Sequence, residues 1–127
     1  ITRGLDVLAL EPSKFLTANE ISAAALAVDG DVFNPQQQFA MTWPKSPVVA
    51  VAYVDQLARS GALKAGLEPE LRAALDEANA TLDKPGSATD RPALANRLEA
   101  LASSVGGTSQ RHVALSAMLK DLAARLR

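Results

Sequence analysis

The chain has 127 residues, with 13 Lys and Arg against 14 Asp and Glu for a net charge of −1, and no cysteine. This is the size of one domain, or one domain plus a short appendage, able to bury roughly two-thirds of its unfolded surface, and its near-neutral balance argues against a nucleic-acid face or a polybasic membrane patch. Without cysteine there are no disulfides, thiolate metal sites or thiol nucleophiles, and no apolar run nears the ~20 residues that would insert in a bilayer.

The composition predicts an all-α fold. Alanine (25) and leucine (18) make up about a third of the chain, and they are the strongest apolar helix formers. The seven Pro and seven Gly fall between apolar-periodic stretches, where helices start and stop. Opening at Ile1 with neither Met nor a charged-then-apolar leader, the chain reads as a piece of a longer protein.

In chain order, Gly4 to Leu10 reads as a short helix or an extended lead-in ended by Glu11-Pro12. Thr17-Ala18-Asn19-Glu20 has the form of a capping box, with Leu16 and Ile21 at the staple positions. It predicts a helix from Ala18 to Val28, stopped by Asp29-Gly30. Asn34-Pro35-Gln36-Gln37 repeats the logic with Asn as cap and Pro at the first helical position. That short helix would end before Pro44, with Phe39 and Trp43 on one face.

Ser46-Pro47 opens a helix with an apolar stripe of Val51, Val54, Leu57 and Ala58, which Gly61 terminates. Leu67, Leu71, Ala74, Leu75, Ala78 and Leu82 mark the next helix, started with the help of Pro69. After the loop Lys84-Pro85-Gly86-Ser87, Leu94, Leu98, Leu101, Ala102 and Val105 continue the pattern to Gly106-Gly107. Thr108 or Ser109 caps a last helix carrying Leu115, Leu119, Leu122 and Leu126. Four such stripes joined by short turns predict an antiparallel bundle over 46–127, preceded by two or three shorter helices in 1–45.

All five aromatic residues lie within the first 53 positions. The rings of Phe33, Phe39, Trp43 and Tyr53 either close the open face of the bundle or form a surface that docks another protein or another domain of a parent chain.

Catalytic and metal chemistry find little support. His112 is the only histidine; Ser109 and Ser116 share its face, but no orienting third group stands near, and first-turn helix histidines are usually solvated. Asp29-Gly30-Asp31-Val32-Phe33-Asn34 suggests a calcium loop, yet its glycine comes second and position twelve is Ala40. Asp55–Arg59, Glu68–Arg72 and Asp121–Arg125 run acid to base at i, i+4 and read as solvated helix pairs. Gly106-Gly107 lacks the lysine and strand of a phosphate loop, and the Asn79-Ala80-Thr81 sequon falls mid-helix.

From Tyr53 onward, the stretches YVDQLARSGALKAGLEPELRAALDEANATLD, ALANRLEALASSV and SAMLKDLAARLR resemble the small helical FIMAH-type module of bacterial extracellular and cell-surface proteins. The shared pattern is an apolar helix ending near Ser60-Gly61, a Gly66-Leu67 turn, a helix with Leu71, Leu75, Ala78 and Leu82, and two more amphipathic helices. The resemblance implies a non-catalytic accessory module of a larger exported protein, with an extracytoplasmic location.

The expectation is a non-enzymatic interaction module without cofactor, whose apolar contact face carries Phe33, Phe39, Trp43 and Tyr53. The alternative is a small-molecule binder with an apolar pocket between the leading aromatic segment and the Ala-rich bundle.

Overall fold

The computed structural model describes residues 8–28, 36, 41–84 and 90–127. Among them it is all-helical: α1 (Ala18–Ala24), α2 (Pro47–Arg59), α3 (Leu67–Asp83), α4 (Arg91–Val105) and α5 (Gln110–Leu126). No strand occurs among the described residues, only two isolated bridges, Ser13 to Leu16 and Val28 to Thr42.

Helix starts follow local chemistry. Thr17 accepts from the Glu20 N–H while the Glu20 carboxylate accepts from the Thr17 N–H, a complete capping box. Ser46 caps α2 ahead of Pro47, Asp90 caps α4 and Ser109 caps α5. α3 starts without a side-chain cap, from Gly66 in the left-handed region at φ +82°.

The first helix is shorter than its apolar pattern suggests. It ends at Ala24, and the chain continues to Val28, which exchanges backbone hydrogen bonds with Thr42 at 2.7 and 3.3 Å. Residues 41–46 are not helical, so Trp43 lies outside any helix. Most of the expected helix from Asn34, with Phe33 and Phe39, lies outside the described residues, as do the calcium-like stretch and 85–89 of the loop after α3.

The core is built from leucine and alanine. Leu57, Leu71, Leu75, Leu98, Leu115, Leu119, Leu122 and Leu126 are fully buried, interleaved with Ala50, Ala74, Ala78, Ala95 and Ala123. Each such leucine contributes about 1.5–3 kcal/mol of burial. Each alanine lets a neighbouring backbone come close. Packing runs α2–α3, α3–α4, α4–α5 and α5–α2, a closed cycle of neighbours, with α1 laid against α2.

Two expected ion pairs are replaced by longer-range ones. Arg59 turns from Asp55 to Glu20 on α1, and Asp121 pairs with Lys45 while Arg125 donates to the Lys45 carbonyl. Glu68–Arg72 does form within α3, and Arg72 also reaches Asp55. The i, i+4 spacing makes a pair available, but Asp55 is already engaged by Thr17, Asn19 and Arg72, and Arg59 meets both oxygens of Glu20 instead.

His112 is buried rather than solvated. Its Nε2 stands 3.2 Å from the Ala62 carbonyl and its Nδ1 2.7 Å from Ser109 Oγ. The ring thus donates from Nε2 to the Ala62 carbonyl in the α2–α3 turn, and its Nδ1 shares a hydrogen bond with the serine hydroxyl. Gly107, at φ +80°, lies flat against the ring, and a Cβ there would fall 2.7 Å from it. Gly61 also has positive φ, at +67°, but faces open space. Gly61→Ala should therefore cost about 1 kcal/mol of backbone strain. Gly107→Ala should cost at least about 2 kcal/mol, part of it recovered in the Gly107→Ala, His112→Ala double variant. Urea unfolding of the four proteins measures this, and equal losses for the two single variants would show that the ring contact is unimportant.

Candidate functional site

A groove of about 410 Å³ opens between α1, the start of α2, the first turn of α5 and the segment around Trp43. Its apolar walls come from Leu16, Ala23 and Ala24 on one side and Val49 and Ala52 on the other. Trp43 and Tyr53, both expected contact residues, line it together. Trp43 is 41% exposed, and Tyr53 is half-buried with its ring against the core. Phe33 and Phe39 lie outside the described residues. Phe15 is exposed, its ring 4.8 Å from the Lys14 ammonium.

The α1 wall is held mainly by charge. Seven residues are too few for a stable helix in water, and only Glu20 and Ala23 of α1 are buried. Both Glu20 oxygens accept from Arg59, each at 2.7 Å, in a two-pronged contact. One turn earlier along α2, Asp55 accepts from the Thr17 hydroxyl and, at 2.9 Å, from the Asn19 amide. The other Asp55 oxygen lies 2.6 Å from Arg72 Nη2 of α3, a close ion contact without hydrogen-bond alignment. One acid thus ties α1 to α2 and α2 to α3.

The rest of the groove is chemically open. The Trp43 indole N–H, the Tyr53 hydroxyl, the Gln56 and Gln110 amides and the exposed Arg111 guanidinium line it, and none has a hydrogen-bond or ion-pair partner. Glu20 also lines it, but its charge is matched by Arg59. Sequence reasoning missed the glutamines and Arg111. Gln56 follows Tyr53 by three residues on α2, a spacing that puts both on one face. Gln110 and Arg111 arrive only through α2–α5 packing, which no local pattern encodes.

Among the described residues no group of three His, Cys, Asp or Glu could hold a metal. No described helix is long and apolar enough to cross a membrane. Ser116, expected on the histidine face, donates to the Ala102 carbonyl at 2.9 Å. Thr81 of the sequon is buried in α3 and bonds the Glu77 carbonyl. No family model, no curated protein and no solved structure matches the chain.

Arg59 holds the Glu20 carboxyl down at about 2, against the opposing effect of burial. A carboxyl depressed on folding stabilises fully above its unfolded value of about 4.5, and that contribution disappears as pH falls through 2. Thermal midpoints should therefore drop between pH 4.5 and 2. Glu20→Gln should be less stable than the parent at neutral pH and lose less on acidification. Circular dichroism melts across the range measure both, and parallel curves for parent and variant would remove Glu20 from the account.

Proposed function

We propose that the chain is a non-enzymatic helical module that docks a protein segment in the groove beside Trp43 and Tyr53. The observation that carries this reading is where apolar surface remains uncovered. Of eight exposed large apolar side chains among the described residues, seven (Leu8, Leu10, Phe15, Leu26, Val28, Met41 and Trp43) lie between positions 8 and 43. The α2–α5 core leaves only Val113 so exposed. Of the seven, Trp43 lines the groove itself, and exposed apolar side chains concentrated in one part of a chain, with an aromatic anchor at a concave site, are a usual form of interaction surface.

The closed cycle of packing from α2 to α5 supports the finer description of an antiparallel bundle as the rigid platform under this surface. The resemblance of 53–127 to FIMAH-type modules fits an accessory role in a larger bacterial exported protein. A second reading rests on the groove volume, which lies within the range of small-ligand sites. An apolar small molecule would occupy the same walls.

Trp43 is partly exposed and outside the core, so Trp43→Ala should keep the helical content and change stability by less than about 1 kcal/mol. The same change should weaken partner binding by roughly 10-fold or more, the cost of losing an interface anchor. Circular dichroism and titration of a labelled peptide separate the two effects. Loss of folding in this variant would make Trp43 a core residue and end the docking reading.

A further inference from the structure

Resting on the docking reading above, we propose that the groove selects an apolar peptide segment flanked by an acidic side chain, whose carboxylate is received by Arg111. The inference comes from the charge and hydrogen-bonding character of the walls. Among the described residues Glu20 is the one acid lining the groove, and both its oxygens are occupied by Arg59. Arg111 is the lining cation, exposed and without an ion-pair partner. Among the described residues the lining therefore presents one unmatched positive charge beside an apolar wall.

Two of the unpartnered polar groups can only donate. A guanidinium carries five N–H donors and no acceptor, and an indole offers a single N–H. A partner matched to them must bring acceptors, and a carboxylate accepts two parallel N–H bonds from a guanidinium. The Gln56 and Gln110 amides supply both a donor and an acceptor each, the pairing that an extended backbone presents. Apolar side chains would lie between Trp43 and the alanines of α1 and α2. A cationic segment would meet Arg111 with no lining acid left to offset it.

The test uses the full chain and short synthetic peptides of one fixed apolar pattern, differing only in whether Glu, Gln or Lys flanks it. Binding is read by fluorescence anisotropy of the labelled peptides at low and high salt. The expected order is Glu, then Gln, then Lys, with each step about 2–5-fold, the range of an exposed ion pair, and the spread narrowing in high salt. Arg111→Glu should reverse the order. This variant folds readily, because an acidic residue suits the first turn of α5, and circular dichroism checks it. Equal binding of the three peptides, or an order unchanged by Arg111→Glu, overturns the acidic preference while Trp43-dependent binding leaves docking intact. If no peptide binds in a Trp43-dependent way, the docking reading itself falls, and the inference falls with it.

Discussion

The Glu20–Arg59 contact decides whether there is a groove at all. A helix of seven residues does not stand alone in water, and α1 brings little apolar surface to its contact with α2. What it does bring is a carboxylate facing a guanidinium, and a threonine and an asparagine facing Asp55. Such contacts are directional. They fix the rotation of α1 on α2, and so fix where Leu16, Ala23 and Ala24 stand as a wall opposite Val49 and Ala52. An apolar contact of similar strength would tolerate sliding; the two-pronged pair does not.

The α2 side of the groove follows from a different constraint. A core of leucines and alanines leaves interior spaces too narrow for rings. Tyr53 accordingly sits at the margin, packed against the core without entering it, and Trp43 remains outside. Among the described residues the aromatic side chains stay at or near the surface, while leucine and alanine fill the interior.

Much of the fold was legible in local sequence because local chemistry decides it. The capping box at Thr17, the Ser46-Pro47 start, the Ser109 cap and the leucine stripes all depend on residues within a few positions of one another. Where an outcome depends on a distant partner, spacing pointed to the wrong one. Arg59 sits four residues from Asp55 but bonds Glu20, 39 positions away. His112 looked solvated because nothing nearby in sequence signals the Ala62 carbonyl, 50 positions away, that buries it. The site divides in the same way. Ring chemistry marked Trp43 and Tyr53, whereas Arg111 joins them only once α5 packs against α2.

The contact of Gly107 with the His112 ring also orders the changes this chain can accept over time. A smaller side chain at 112 meets no clash with the glycine, although it gives up the contacts with Ala62 and Ser109. A side chain at 107 cannot arrive while the ring is in place, because 2.7 Å leaves no room for a carbon. Substitution at these two positions is therefore directional, with 112 changing first. Even then 107 is held back by its left-handed backbone. The glycine is held by its backbone and by the ring, and the ring by its hydrogen bonds to Ala62 and Ser109, so the two positions are coupled and a side chain at 107 has to wait for a change at 112.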